Sequence, residues 1–305
     1  MDALINVNGE NVQTLQILFL TTLLTLLPSA VVMMTSFTRY IISFSFLRSA
    51  MGLQQNPPNM VLVGIALFLT LFTMSPVISE IQTTAYEPYI AEEITQEEFL
   101  QRAEKPLKEF MAGQVEESSL KLYCDLAGLD TPSAASAAEL PLRVLVPAFM
   151  TSELKHAFLI GFYLYIPFVL IDVIVASTLM SMGMIMLPPS MISMPFKLLL
   201  FIALNGWELL FSTLVQSFRY ENLNMEVVDI LREGVGVALR IGAPLLILSM
   251  LVGILVAIFQ AVTQIHEQSL SFILKMIVVV AVLLVGGGWM LETLLDFSRY
   301  LFTLM

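Results

Sequence analysis

The chain has 305 residues, 57% of them hydrophobic and only 13% charged, with a mean hydropathy of +0.85. A soluble domain carries about 25% charged residues, so too few polar side chains remain to cover a water-facing surface, and an ordinary soluble globule is excluded. The net charge of −11 argues against nucleic-acid partners, because binding a phosphate backbone needs clustered Lys and Arg.

In chain order, the first apolar run covers about 12–34. It is not a secretory signal, which needs a positive leading region; the first basic residue is Arg39, beyond the run. The run therefore reads as a retained element. A second run, about 59–79, opens after Pro57-Pro58. Four more follow at about 157–182, 196–218, 237–262 and 271–303, each near the length of about 20 apolar residues that spans a bilayer. All six are expected to be helices, since lipid requires backbone groups to be satisfied within the segment. Arg39 and Arg48 follow the first run and mark that side as cytoplasmic by the positive-inside rule, so the segment after the second run lies outside. On the same count 219–236 and the C-terminus lie outside.

Residues 80–145 hold 13 Asp/Glu and 5 Lys/Arg, a local net of −8. The wider segment 80–150 reads as a small helical domain. Thr95-Gln-Glu-Glu98 has the pattern of a capping box, and Phe99, Ala103, Leu107 and Phe110 recur at helical spacing. Pro106 predicts a kink or two short helices there. Gly128 followed by Thr131-Pro132 reads as a helix stop and a new start. The charge run itself is read as a solvated face.

Charges within apolar runs are costly and draw attention. Asp172 and Lys197 are placed to pair between adjacent helices across 183–195. Glu208, Arg240, Lys275, Glu292 and Asp296 are similar intrusions, and Arg299 has Glu292 and Asp296 at helical spacing. Two readings are open: an ion relay, or buried contacts that fix helix register. The second is favoured because the charged groups are isolated. Met180, Met182, Met184 and Met186 alternate around Gly183 and end at Pro188-Pro189, with Met191 and Met194 behind. The bland reading is adaptable packing filler. The other is a pore lining, since irregular backbone at membrane depth is tolerated only where it is buried or lines a cavity.

The polar stretch 219–225 divides two apolar regions and is read as a boundary; the polar turn 260–268 makes 237–303 a helical hairpin. Gly286-Gly287-Gly288 suits close helix packing. Cys124 is the one cysteine, and His156 and His266 are far apart, so no disulfide and no metal motif is expected. No nucleophile elbow, phosphate loop or dinucleotide fingerprint occurs, and neither catalysis nor a cofactor is expected.

Residues 37–59 (FTRYIISFSFLRSAMGLQQNPPN), 61–77 (VLVGIALFLTLFTMSPV), 105–114 (KPLKEFMAGQ), 146–155 (VPAFMTSELK), 166–199 (through IDVIVASTLMSMGMIMLPPSMISMPFKLL) and NGW at 205–207 resemble, in order, the FliP family of flagellar export-gate subunits. The resemblance covers about 12–218. Residues 243–275 and 287–302 (GGWMLETLLDFSRYLF) resemble a second gate family, FliQ, over about 225–305. The expected organisation is therefore 1–218 FliP-like, with 80–150 periplasmic, a linker at 219–224, and a FliQ-like hairpin at 225–305.

The resemblance implies an all-α membrane protein of the bacterial inner membrane, at the flagellar basal body. Several copies would assemble with a FliR-like subunit into a ring or helical pore for unfolded flagellar proteins. The hairpins would be tilted and partly lifted from the bilayer. It further implies that Met184 and Met186, with Met182 and Ile185, form a gasket around the passing chain; Ile185 departs from the family's methionine run but keeps the ring apolar. Asp172 and Lys197 become an interhelix contact. The tip carrying Gln260, Gln264 and Glu267 would meet an FlhB-like switch protein, and an FlhA-like subunit is a further partner. The family builds its gate from unequal numbers of the two subunits, which a one-to-one fusion does not reproduce. Two other readings are a virulence-injectisome gate subunit and, in a different class, an ion-coupled solute transporter using Asp172 and Lys197.

Overall fold

The computed structural model describes residues 4–7, 10–132, 134–184, 186–218, 227–264 and 267–305. Among the described residues the chain is all-α apart from one short antiparallel strand pair, β1 (Leu4–Val7) and β2 (Glu10–Gln13), in the register Leu4↔Gln13 to Val7↔Glu10. Val12 and Gln13 thus belong to a strand, and the first apolar helix, α1, runs Thr14–Met34. Among the described residues three later helices are long and apolar enough to cross a membrane: α8 (Leu142–Ser181), α11 (Val227–Thr263) and α12 (Gln268–Thr303). Three further candidates are bent pairs. They are the end of α1 with α2 (Phe37–Ala50), at 78°; α3 (Asn59–Thr73) with Ser75–Ile90, at 60°; and α9 (Pro189–Ala203) with α10 (Gly206–Gln216), at 64°.

The bends have local chemical causes. Where α1 ends, hydroxyls replace the lost helical donors: Thr38 Oγ1 donates to the Val32 carbonyl at 2.6 Å and the Thr35 hydroxyl donates to that of Val31. Pro76, in the first turn of α4 (Ser75–Ile81), has no N–H with which to continue α3. Between α9 and α10, Asn205 adopts the left-handed conformation (φ 50°). A side chain at Gly206 would meet the Phe201 ring at 2.2 Å, and Trp207 packs edge-on against that ring. The Asn-Gly-Trp sequence is therefore a turn in which each residue type has a separate geometric job.

The chain forms two compact units, Met1–Ile41 with Val63–Ala157, and Ile42–Leu62 with Phe158–Met305. In the first, α4 continues through a π-helical turn (Gln82–Tyr86) into α5 (Glu87–Ile90), followed by α6 (Gln96–Ala112), α7 (Glu117–Ala127) and a 3₁₀ turn (Ala134–Glu139). Thr95 Oγ1 accepts from the Glu98 N–H, and the Glu98 carboxylate accepts from the Thr95 N–H at 2.9 Å. The Thr95 N–H, and after it the Thr95 hydroxyl 3.3 Å from the same carboxylate oxygen, hold the Glu98 carboxyl below its ordinary 4.5. Of the two outcomes expected at Pro106, a kink or two short helices, the second does not occur: α6 runs through Pro106 as one helix. Pro106 is buried there, at the cost of one helical hydrogen bond that its missing N–H cannot make. At its far end α7 closes on Gly128, left-handed at φ 66°, with Leu129 N–H donating to Cys124 O and Gly128 N–H to Asp125 O. Met111, Leu120, Cys124, Leu140, Leu145 and Phe149 form the core. Burial pushes the Cys124 thiol up, with Asp125 adding to it.

In the second unit α11 and α12 form a hairpin, and α9 and α10 pack against α12 and against each other. The apolar runs at 157–182 and 237–262 are parts of longer helices, beginning at Leu142 and Val227. Only 6% of the most apolar window of α12 is buried, against 50% in α8. Arg299 lies 3.5 Å from Asp296. Among the described residues, a methyl group at Gly287 or Gly288 would meet nothing within 4 Å, and one at Gly286 would meet only Met290 Cε at 3.6 Å, so these glycines make no close approach there. The expected boundary at 219–224 lies outside the described residues.

Candidate functional site

The break after α8 is made by a glycine. Gly183, at φ 86°, ends the helix; its N–H donates to Met180 O at 3.0 Å, and the Met184 N–H reaches back to Leu179 O at 3.0 Å. Any other residue at that φ would be strained. The chain then re-enters a helix at Pro188-Pro189, where proline is tolerated because the first-turn N–H groups have no helical partner.

This turn divides the expected gasket. Met182 is buried, and with Met184 it lines an apolar cavity of about 530 Å³ walled by α8, α9, α11 and α12. Met186 does not line that cavity and is 97% exposed, with Met180, Leu187 and Met191 also exposed. Ile185 lies outside the described residues. Of the described gasket residues only Met186 is thus exposed, while Met180 and Met191, which the sequence places in the same methionine stripe but not in the gasket, are exposed as well.

Further along α9, Lys197 Nζ lies 2.6 Å from Asp172 Oδ2 and donates to the Ala50 carbonyl, the last of α2, at 3.0 Å. Ser193 Oγ donates to the other Asp172 oxygen at 2.5 Å. The pair therefore ties α8, α9 and the negative end of α2 together. Its partners are a hydroxyl and a backbone carbonyl, the surroundings of a structural anchor. Sequence reading named the two charges but not Ser193 or Ala50, which carry no signal of their own.

A second buried charge group sits in the first unit and was not anticipated. Arg39 and Glu153 are both fully buried and form two bonds, Arg39 Nε donating to Glu153 Oε2 at 2.9 Å and Nη2 to Oε1. Arg39 Nη2 also donates to Gln114 Oε1 at 3.2 Å and faces His156 Nδ1 at 3.1 Å. Arginine has only donors, so Nδ1 must accept, which turns the other imidazole nitrogen toward Glu116 Oε1 at 3.2 Å. Lys155 reaches the second Glu116 oxygen, and the Glu116 N–H donates to Ser152 Oγ at 3.0 Å. Arg39, used above as a loop charge to set orientation, is instead a buried clamp on α8. The signal available was Glu153 and His156 at helical spacing in a polar stretch.

At the hairpin tip Gln260 belongs to α11, one turn before its end, and not to the loop. Its Nε2 donates to the Glu267 carbonyl at 2.8 Å, closing the turn. Gln264 is left-handed at φ 57°, Glu267 precedes α12, and both are exposed. Among the described residues no three His, Cys, Asp or Glu side chains converge as a metal site.

Long apolar helices, bent spans and charges consumed in interhelix anchors define a polytopic all-α integral membrane protein. The FliP family model matches residues 20–214, and that for bacterial export proteins, family 3, matches residues 226–299. Among similar relatives is the flagellar biosynthetic protein FliP of Aquifex aeolicus, 47% identical over 211 residues, 69% of this chain and 88% of that protein. That of Pectobacterium carotovorum is 50% identical over 213 residues, 69% and 82%. That of Bacillus subtilis is 48% identical over 210 residues, 68% and 94%. The chain belongs to the FliP family and carries a second export module in the same polypeptide. It is an inner-membrane component of the flagellar type III export gate.

Proposed function

We propose that several copies of this chain, with a FliR-like subunit, surround a channel for unfolded flagellar proteins, and that the methionine-rich break after α8 forms its constriction. The observation that carries this is Met186: a large apolar side chain, 97% exposed, on irregular backbone at the end of a long apolar helix. Such backbone within a membrane must be buried in protein or line a cavity. Neighbouring copies would supply the rest of the wall, and unbranched methionines would yield to a passing chain and reseal behind it.

In this reading 1–218 is the FliP-like gate part, with 80–150 on the periplasmic side in keeping with its acidic, solvated composition. Residues 219–224 are a linker and 225–305 a hairpin. The tip, with Gln264 and Glu267 exposed, faces an FlhB-like switch protein, and an FlhA-like subunit lies on the same apparatus. Asp172 and Lys197 act as an anchor beneath the constriction. The test is ion conductance of the assembled gate in a planar bilayer, paired with flagellar-protein export in cells. Met184→Ala with Met186→Ala is expected to raise resting conductance while export largely survives. Conductance identical to that of the unaltered gate would overturn the constriction.

A further inference from the structure

The carbonyl end of α8, where the methionine-rich break starts, is gripped by the hairpin of the second module. Lys275 of α12 donates from Nζ to the Ser181 carbonyl at 3.0 Å. Ser181 Oγ, besides donating to Thr178 O at 2.7 Å, reaches Ser249 Oγ of α11 at 3.2 Å, and Ser249 is fully buried. Both hairpin helices thus make polar contact with the last residue of α8.

Two features mark this as a fitted contact. The turn at Gly183 satisfies the carbonyls of Leu179 and Met180, while that of Ser181 is met by the ammonium. A cation is the favoured group at the negative end of a 40-residue helix. The Lys275 stem reaches this position across Gly253 of α11. A methyl group there would lie 2.9 Å from Lys275 Cε and 3.4 Å from Nζ. The glycine leaves the passage open.

We infer that Lys275 is a positioning residue for the constriction: it fixes the end of α8, and with it the direction in which Met184 and Met186 leave the helix. The second module then sets the resting geometry of a seal whose side chains all belong to the first. The inference rests on the constriction reading proposed above.

The test uses the full chain, assembled in its gate, with Cys124 replaced by Ser and a spin label at Leu187→Cys to report motion of the break. Lys275→Met, which keeps the stem and removes the charge, is expected to increase label mobility and to raise resting conductance several-fold. Lys275→Arg is expected to restore both in part. Gly253→Ala leaves the ammonium intact but crowds its stem, and is expected to reproduce the mobility of Lys275→Met. A mobile label in Lys275→Met and Gly253→Ala supports the positioning role, and whether conductance follows then decides the constriction reading separately. A label that stays as immobile as in the unaltered chain, in folded and assembled Lys275→Met and Gly253→Ala, overturns the inference, even if the variants are less heat-stable.

Discussion

Lys197 and Asp172 contribute unequally to their contact. Only 6% of the lysine side chain is exposed, against 37% of the aspartate, so water compensates a stranded carboxylate better than a stranded ammonium. Breaking a buried pair by removing one partner costs about 3–5 kcal/mol, with less expected where solvent reaches the remaining charge. Asp172→Asn, which leaves the ammonium with the Ala50 carbonyl and a neutral amide, is therefore expected to cost about 3 kcal/mol. Lys197→Met is expected to cost about 1–2 kcal/mol, and the pair Asp172→Leu with Lys197→Met less than Asp172→Asn alone. Thermal unfolding in mild detergent ranks the three. A larger loss for Lys197→Met than for Asp172→Asn would mean that the carboxylate, and not the ammonium, carries the buried cost. The same contact separates an anchor from a relay: both Asp172 oxygens and the ammonium are already engaged.

At the scale of elements, close approach of helices depends on a few positions. A side chain at Gly161 of α8 would lie 2.4 Å from Cδ2 and 2.5 Å from Cγ of Phe46 on α2, and that ring also packs edge-on against Phe158 at 5.2 Å. Cγ sits at the root of the side chain, so the ring cannot simply swing aside. Gly161→Ala is expected to destabilise the fold by about 1–3 kcal/mol through overpacking, measured as a lower midpoint in denaturant titration of the detergent-solubilised chain. No shift would mean that α2 and α8 separate at little cost. Apolar runs and prolines made the helices and the hairpin legible in the sequence, because lipid forces that pattern on any spanning segment. The continuity of α8 from Leu142 was not legible. The polar stretch Thr151-Ser-Glu-Leu-Lys-His156 stays helical because Arg39, 114 residues from Glu153, neutralises the buried carboxylate. The 78° and 64° bends likewise depend on hydroxyl caps and on a ring lying over Gly206, tertiary facts without a periodic signature. At the candidate site the Met-Gly-Pro pattern disclosed the break. The split of Met182 and Met184 from Met186 follows from a left-handed turn at one residue, which composition does not reveal.

For the molecule as a whole, joining the two modules raises the question of which copy each hairpin serves. Separate subunits can combine in any ratio, whereas one polypeptide supplies one hairpin for every FliP-like part. Ser249 and Lys275 both contact Ser181 within the single chain, and in the assembled gate each hairpin is therefore expected to close the end of the α8 to which it is covalently attached. The oxygens of Ser181 and Ser249 are 3.2 Å apart, so cysteine sulfurs placed at the two positions start close to one another, the first requirement for a bridge. Ser181→Cys with Ser249→Cys, in a chain whose Cys124 is replaced by Ser, is therefore expected to oxidise within one chain. Two differently tagged copies expressed together, each carrying both cysteines, should give monomers of increased electrophoretic mobility and no disulfide-linked heterodimer. A heterodimer as the main product would show that the hairpin crosses to a neighbour. The seal of each copy would then be set by the next copy around the ring, and the gate's stoichiometry would be free of the one-to-one constraint that pairing within a chain imposes.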